Sequence, residues 1–406
     1  MNDLVGDSIW RLRPADGSPL LPSTGTGDLT GLTVAVKDVF EVEGFAMGAG
    51  NPVWLAERAP ATRDSAAVAA LRAAGAAIAG LAHTDEFAYS IAGRNAHWGT
   101  PPNAVAPDRI PGGSTSGPAS AVAAGEADLG LGTDTAGSVR VPASYQGLWG
   151  LRSTHGSTSM AGLLPLAPRF DAIGWLARDA ATLRPAVAAG LSGGGTGRVA
   201  APGAGAATKA HSAFVQAGRA LTDTADPAVA AAFEAAVAAA VASGRIQQPG
   251  TIDVPPPADL FTAFRIPQAA EAWRSDGEWV TAHPGACAPD VAARFEFAAS
   301  VTPEQEAGAL ALLERLRAEL DRSLGDRILL LPSAPTVAPR LDDDPAILES
   351  VRVRTLSITA VAGITGRPAL SVPVLDVDGL PVGLCLVGPR GSDLELIDLA
   401  AAIFAS

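Results

Sequence analysis

Residues 111–154 read PGGSTSGPASAVAAGEADLGLGTDTAGSVRVPASYQGLWGLRST, and the rest of the chain is organised around them. They hold two loops of small residues, GGSTSG at 112–117 and TDTAGS at 133–138. The Ala-rich run between the loops ends at Gly125, which predicts a short helix followed by a short apolar strand. Glycines beside a serine let backbone amides approach a ligand, and clusters of such amides bind anions. One loop could therefore hold a nucleophile together with an oxyanion hole.

Glycine–serine loops have other common uses, and the residues exclude two of them. A Walker phosphate loop ends in Gly-Lys-Ser or Gly-Lys-Thr, and this stretch contains no lysine. It also lacks the Gly-x-Ser-x-Gly elbow of α/β-hydrolases. A pair of turns with serines as polar filler remains as the alternative to a catalytic site.

GGSTSG followed by GTDTAGSVRVPAS resembles the amidase signature family of Ser-Ser-Lys hydrolases. The resemblance implies that Ser138 is the nucleophile and that Ser114, preceded by a cis peptide bond, is the middle serine. The upstream motif VAVKDVF implies that Lys37 completes the triad. The implied fold class is α/β, a single amidase domain with a large mixed twisted β-sheet surrounded by helices.

The lysine of the implied triad also stands out by composition. Of the 29 basic residues only Lys37 and Lys209 are lysine, so a lysine directly after an apolar run suggests a chemical role. Arginine could not act as a base because it stays protonated. The alternatives are a structural lysine paired with Asp38 or Glu41, and a simple turn residue at Ser114.

The resemblance implies further site residues around the triad. The oxyanion would be held by the amides of Thr135, Ala136, Gly137 and Ser138. Asp134 and Arg140 are interpreted as scaffold rather than as catalytic groups, tied by charge-assisted hydrogen bonds. The carbonyl of Ala88 and the side chain of Tyr89 would face the substrate, although Tyr89 could be a plain core aromatic. Ala136 stands where most members have glycine, so no positive φ is expected there.

The pattern along the chain predicts one domain over residues 1–406 in four parts. They are an irregular N-terminal arm at 1–30, a catalytic core at 31–179, a variable substrate-shaping region at 180–327 and a C-terminal part of the core at 328–406. Strand 32–36, helix 65–74 and strand 76–81 predict a βαβ unit with parallel strands. Thr302 and Gln305 form a capping box, and Asp378-Gly379 joins two strands of a hairpin.

Composition limits the partners. A net charge of −13 and a pI of about 4.8 argue against nucleic acid or an anionic membrane surface as partner. The five histidines and two cysteines have no metal-ligand spacing, so no metal or cofactor is expected. Residues 1–28 lack an apolar signal segment, which favours a cytoplasmic location.

GNPVWL, AYSIAGRNAHWGTPPN and RFDAIGWLARD look closest to short indole-3-acetamide hydrolases within the family. With Trp273 and Trp279 in the variable region, they predict a small aromatic or apolar primary amide as substrate, cleaved to the acid and ammonia. An allophanate- or carbamate-type hydrolase is the nearest alternative, suggested by TAGS around the nucleophile. A glutaminase subunit with partner subunits and a catalytically silent docking scaffold are the others, and a homodimer is one option for the assembly.

Overall fold

In the computed structural model, which describes residues 4–192 and 213–404, the strands of these ranges form one mixed sheet. The strands are β1 (Leu4–Val5), β2 (Trp10–Pro14), β3 (Thr33–Lys37), β4 (Ala77–Ala82), β5 (Leu129–Thr133), β6 (Trp149–Arg152), β7 (Ile173–Ala177), β8 (Phe214–Ala217), β9 (Gly250–Ile252), β10 (Ile328–Pro332), β11 (Ala369–Val377) and β12 (Leu380–Val387). Their order in the sheet is β1-β2-β4-β3-β5-β7-β6-β11-β12-β10-β8-β9.

Helices surround this sheet, as the α/β fold class requires. They are α1 (Pro52–Ala56), α2 (Ala66–Ala73), α3 (Ser116–Ala123), α4 (Arg140–Tyr145), α5 (Ala180–Ser192), α6 (Arg219–Thr222), α7 (Pro227–Ala242), α8 (Pro257–Ala282), α9 (Pro289–Ser300), α10 (Pro303–Leu324), α11 (Pro345–Thr365) and α12 (Asp393–Phe404). A 3₁₀ turn, Glu86–Ala88, lies between β4 and α3. The predicted fold class is confirmed.

The predicted βαβ unit is present, and it sets the position of the lysine. Strand β3 pairs in parallel with both β4 and β5, with Val36 opposite Leu81 on one side and Leu131 on the other. Because parallel strands share a direction, the carboxyl ends of β3 and β5 meet at the same edge of the sheet. Lys37 and Thr133, the last residues of those strands, therefore become neighbours.

The central strands are buried on both faces. Along β3, Val34 and Val36 join one apolar cluster and Ala35 joins another, as the alternation of a strand requires. Helix α3 packs against β3 and β5 over small residues. At Gly132 on β5, a Cβ atom would collide with the Thr115 side chain. This glycine therefore lets the first serine loop lie directly on the strand.

Of the local predictions elsewhere in the chain, two are confirmed and one is wrong in part. The capping box of Thr302 and Gln305 at the start of α10 and the antiparallel hairpin of β11 and β12 are confirmed. The prediction that residues 1–30 form an irregular arm is wrong for β2, which pairs with β4. Trp10 on this strand is fully buried, and its indole donates to Glu126. Burial of that large side chain outweighs the Pro- and Gly-rich composition around it.

The described residues hold no helix that is both long and apolar enough to cross a bilayer. Nor do three or more His, Cys, Asp or Glu side chains among residues 4–192 and 213–404 group as they would around a metal ion. Both cysteines are free thiols, with Cys385 buried and Cys287 half-buried.

Candidate active site

The lysine at the end of β3 points its amine into a closed polar site. Lys37 is fully buried, and its Nζ lies 2.8 Å from Ser114 Oγ and 2.7 Å from Thr133 Oγ1. Burial lowers the pKa of Lys37 to about 7, although Asp85, Asp171 and Asp134 each oppose the shift. Near neutral pH a large fraction of this amine is therefore uncharged and able to accept a proton.

Ser114 sits in a loop whose backbone is fixed from several sides. The peptide bond between Gly113 and Ser114 is cis, as the resemblance implies. The carbonyl of Ser114 accepts a hydrogen bond from Thr84 Oγ1 at 3.0 Å. The buried carboxylate of Asp85 accepts from Ser116 Oγ at 3.1 Å and from the Gly93 amide at 2.9 Å. These bonds hold the serine hydroxyl at the lysine amine.

Ser138 lies in the second loop, immediately beside the first. Its carbonyl accepts from the Thr115 amide at 3.1 Å, which joins the two loops. No hydrogen bond links its hydroxyl to any described residue, Ser114 included. The residue is 3% exposed and borders a narrow cavity of about 10 Å³, large enough for one water molecule. The structure thus brings Lys37 and Ser114 into direct contact. Ser138 is linked to them by the hydrogen bond that joins its loop to the first loop.

The amides of the second loop divide into two groups. Asp134 accepts from the amides of Gly137 at 3.0 Å and Val139 at 3.2 Å. The Gly137 amide is therefore already used inside the loop, and its donation to an oxyanion stays a prediction. The amides of Thr135, Ala136 and Ser138 donate to no described residue, and all three residues border the narrow cavity.

The positive φ of this loop falls on Gly137, at 112°, and Ala136 has none. The expectation for Ala136 is confirmed, because the tight turn uses the residue that has no Cβ. A Cβ on Gly137 would lie 2.9 Å from Thr359 Cγ2, so the turn is also closely packed.

Asp134 is the centre of a buried ion-pair network. Its carboxylate accepts from Arg140 at 3.0 Å and 2.8 Å, and Arg152 Nη1 lies 3.3 Å away. Burial raises the pKa of Asp134, but Arg140 and Arg152 outweigh it and hold that pKa far below its ordinary value. All three side chains are buried, and none of them borders the two cavities near Ser138. This arrangement supports the interpretation of Asp134 and Arg140 as scaffold.

Further residues hold the second loop from distant parts of the chain. Asp171 accepts from Thr135 Oγ1 at 2.6 Å and from the backbone amides of Leu166 and Ala167. Thr359 on α11 donates its hydroxyl to the Ala136 carbonyl at 2.7 Å. Arg140 in turn donates to the Thr359 carbonyl at 3.2 Å. Sequence reasoning assigned no role to Asp171, Thr359 or Thr133.

Ala88 and Tyr89 border the narrow cavity beside Ser138, as the resemblance implies. Ala88 has a φ of 55° and the preceding Phe87 one of 50°. Such backbone conformations are costly for residues with a side chain and cluster at functional sites. The turn is held by Glu86, whose buried carboxylate accepts from Asn51, from His97 and from the Ala288 amide.

A second, larger cavity of about 680 Å³ adjoins the narrow one. The two share Tyr89, Ser90, Ile91 and Arg352 in their walls. Neither Trp273 nor Trp279 lines either of them. Trp279 instead packs against Trp54 and Phe87, with ring centroids 5.4 Å and 5.2 Å apart. The two tryptophans therefore give no support to an aromatic substrate.

Comparison with known proteins agrees with this geometry. A family model described as Amidase matches residues 10–397. The chain belongs to the amidase family. Amidase 1 of Arabidopsis thaliana is 35% identical to this amidase over 407 residues, covering 95% of this chain and 96% of that protein. The 2-amino-5-chloromuconic acid deaminase of Comamonas testosteroni is 35% identical over 93% of this chain and 82% of its own length.

Solved structures place the amidase in the same group. A crystal structure of an amidase superposes with a TM-score of 0.82 at 29% identity, over 93% of this chain and 85% of that one. The protein is accordingly a hydrolase that acts on amide C–N bonds, the activity typical of its family.

Proposed function

We propose that this amidase cleaves a small primary amide with an aromatic or apolar acyl group to the carboxylic acid and ammonia, through an acyl-enzyme on Ser138. The observation that carries the proposal is the fully buried Lys37 amine 2.8 Å from Ser114 Oγ. An amine in that environment can serve as a base at neutral pH, and a serine hydroxyl needs one to become a nucleophile.

In the proposed mechanism Ser138 Oγ attacks the amide carbonyl while its proton passes to Ser114, and the Ser114 proton passes to Lys37. The developing oxyanion is held by the amides of Thr135, Ala136 and Ser138, which have no partner among the described residues. The relay then returns a proton to the leaving nitrogen, and ammonia departs. Water attacks the acyl-enzyme in the same way and releases the acid.

The larger cavity supports a small acyl group. Its volume of about 680 Å³ lies in the range of small-molecule sites, and Tyr89, Ile91, Phe297 and Leu348 supply apolar wall. The resemblance to short indole-3-acetamide hydrolases agrees with this lining. The Comamonas testosteroni relative is, by its name, a deaminase of 2-amino-5-chloromuconic acid, which is also a small molecule. A cytoplasmic location and a homodimer stay predictions from the sequence.

The test is a substrate panel with ammonia release as the readout. Phenylacetamide, indole-3-acetamide, butyramide, allophanate and a simple carbamate are compared by kcat/KM. We expect the arylacetamides to exceed allophanate and the carbamate. A reversed order would replace the proposal by the allophanate- or carbamate-type alternative. No turnover of any substrate by the folded protein would favour the silent docking scaffold.

A further inference from the structure

The larger cavity has a charge opposite to that of the protein. Its wall holds four arginines, Arg94, Arg265, Arg294 and Arg352, against two carboxylates, Asp290 and Glu349. The whole chain has a net charge of −13. Excess positive charge in a cavity that adjoins the proposed nucleophile's own indicates that the cavity takes an anionic group.

Three of these arginines converge from three different helices. Arg265 comes from α8, Arg294 from α9 and Arg352 from α11. All three line the same cavity. Burial lowers the pKa of Arg352, Glu349 opposes that shift, and the positive charges of Arg294 and Arg265 lower the pKa further. Burial raises the pKa of Tyr89 to about 12, and the same three arginines oppose that rise. The three arginines therefore lie within electrostatic range of Tyr89, which borders both cavities.

Glu349 and Asp290, the two carboxylates in this cavity wall, pair with only some of the guanidinium N–H donors of Arg352 and Arg294. Glu349 lies 3.0 Å from Arg352 and Asp290 lies 2.8 Å from Arg294. Both acidic side chains are mostly exposed, at 56% and 63%, whereas the arginines are 14% and 19% exposed. Each of these ion pairs uses one nitrogen of the guanidinium, which carries five N–H donors. The remaining donors are available to a ligand.

Arg265 differs from the other two because it forms no ion pair with any residue in 4–192 or 213–404. Its guanidinium stands over the ring of Phe297, 3.7 Å from the centroid. Stacking holds the planar group in place without neutralising it. A half-buried arginine without a carboxylate, in a cavity wall, is a ready partner for an incoming anion.

We propose that the substrate carries a carboxylate at the end opposite the scissile amide, and that Arg352, Arg265 and Arg294 bind it in the larger cavity. This inference rests on the proposed function, because it assigns the far end of the same acyl group. Arg352 borders both cavities, so one acyl group can reach from Ser138 to the arginines. The substrate class is thus a monoamide of a dicarboxylic acid, with an apolar or aromatic spacer against Tyr89 and Phe297.

The first experiment compares matched amides on the wild-type protein. The pairs are 4-carboxyphenylacetamide with phenylacetamide, and glutaramate with butyramide. We expect kcat/KM to be about 10- to 100-fold higher for the carboxylated member of at least one pair, the gain typical of charge-assisted hydrogen bonds. The preference should shrink as salt is raised from about 20 mM to 500 mM. Equal or better turnover of both neutral members would overturn the carboxylate site and leave the amidase proposal standing.

Variants then assign the preference to residues. Arg265→Gln and Arg352→Leu should each lower the ratio of carboxylated to neutral kcat/KM at least about 10-fold. Glu349→Gln removes a competing anion beside Arg352 and should raise the ratio. Arg274→Gln is the matched control, since Arg274 lies on the same helix as Arg265 but pairs with Glu306 outside the cavity. An unchanged ratio in folded Arg265→Gln and Arg352→Leu would contradict the assignment.

A binding measurement separates this inference from the hydrolysis proposal. Ser138→Ala is titrated by calorimetry with 4-carboxyphenylacetate and with phenylacetate, the acids that hydrolysis would release. We expect the dicarboxylate to bind at least about 10-fold more tightly, and Arg265→Gln in the same background to remove the difference. Equal binding of the two acids would overturn the carboxylate site, whether or not the wild type hydrolyses amides.

Discussion

The hydroxyl of Thr133 lies 2.7 Å from the Nζ of Lys37, as close to that amine as Ser114 Oγ is. The two residues end neighbouring parallel strands, so the register of β3 and β5 sets the contact. An oxygen that accepts from the ammonium favours its charged form and so acts against burial. Thr133 therefore helps to tune the group that the proposed relay uses as its base.

We expect Thr133→Val to shift the acid limb of kcat/KM to lower pH, because the ammonium loses an acceptor. It should also lower kcat about 10-fold, because the amine loses one of its two positioning contacts. Thr133→Ser keeps the hydroxyl and is the matched control. If the pH profiles of the valine and serine variants coincide, the contact does not tune Lys37.

The lowered pKa of Lys37 predicts the pH dependence of the wild type. Below pH 7 the amine is protonated and cannot accept a proton, and above it the neutral base accumulates. Thus kcat/KM for an amide should rise through a limb near pH 7, far below the ordinary lysine value of 10.5. Lys37→Arg should be nearly inactive because arginine stays protonated. A flat profile between about pH 5 and 9 would contradict the assignment.

An amide and its matched ester separate the two roles of that lysine. Lys37→Ala should lose amide hydrolysis more than ester hydrolysis, because a leaving amine needs the returned proton and an alkoxide needs it less. Rates of both are measured on the wild type and the variant. Equal losses would argue against Lys37 as the shared acid and base.

Ser138→Ala should abolish hydrolysis, by at least about 10⁴-fold in kcat, while the fold is retained. Ser120→Ala is the control, since Ser120 on α3 is also buried and its hydroxyl has no partner among the described residues. Ammonia release gives the rates, and thermal unfolding confirms that both variants fold. Near-native turnover by Ser138→Ala would rule out an acyl-enzyme on this residue.

Removal of the Asp134 carboxylate should destabilise the protein strongly. Asp134→Ala leaves Arg140 and Arg152 buried without their partner, which typically costs about 3 to 5 kcal/mol of unfolding free energy. The exposed pair of Asp398 and Arg184 is the comparison, and Asp398→Asn should cost about 1 kcal/mol or less. Urea unfolding measures both. A loss for Asp134→Ala no larger than that for Asp398→Asn would exclude the scaffold role.

Removal of the charge of Asp276 should have the opposite effect and stabilise the folded protein. Its side chain is buried and both carboxylate oxygens lack a partner among the described residues. Burial, with a smaller contribution from Asp171, raises its pKa from 3.8 to about 7. Because the folded state then binds the proton more tightly than the unfolded one, stability falls as pH rises from about 4 to 7.

Asp276→Asn should therefore be more stable than the wild type at pH 8, by a few kcal/mol at most. The advantage should shrink as pH falls through 7 and should be small near pH 4. Urea unfolding of both proteins at pH 4.5, 6 and 8 checks this. A difference in stability that does not change with pH would show that Asp276 does not titrate in this range.

The sequence indicated which residues meet at the candidate site, because each lies in a short motif with its own local signal. Lys37 follows an apolar strand, and Ser114 and Ser138 lie in glycine-rich loops. The contact of Lys37 with Thr133 could also have been predicted, since both end strands of one βαβ-type sheet. The hydrogen bond from the Gly137 amide to Asp134 could not have been predicted, because it depends on the orientation of the Asp134 carboxylate.

Long-range partners had no local signal. Thr359 and Arg352 lie inside α11, where neither differs from an ordinary helix residue in sequence. Their contacts with the second loop and with its cavity are set by packing of α11 against residues more than 200 positions earlier. The positive character of the cavity depends likewise on the convergence of α8, α9 and α11. The composition of the whole chain, with its net charge of −13, indicated a negative protein surface instead.

The hydrogen bond from Thr359 to the Ala136 carbonyl spans 223 residues of the chain. Synthesis runs from the amino terminus, so Lys37, Ser114 and Ser138 are all made long before Thr359 leaves the ribosome. A nascent chain that lacks α11 has every proposed reacting side chain but not the support that fixes the second loop. We expect hydrolytic competence to arise only after α11 has been synthesised, so that the order of biosynthesis itself keeps a shorter nascent chain inactive.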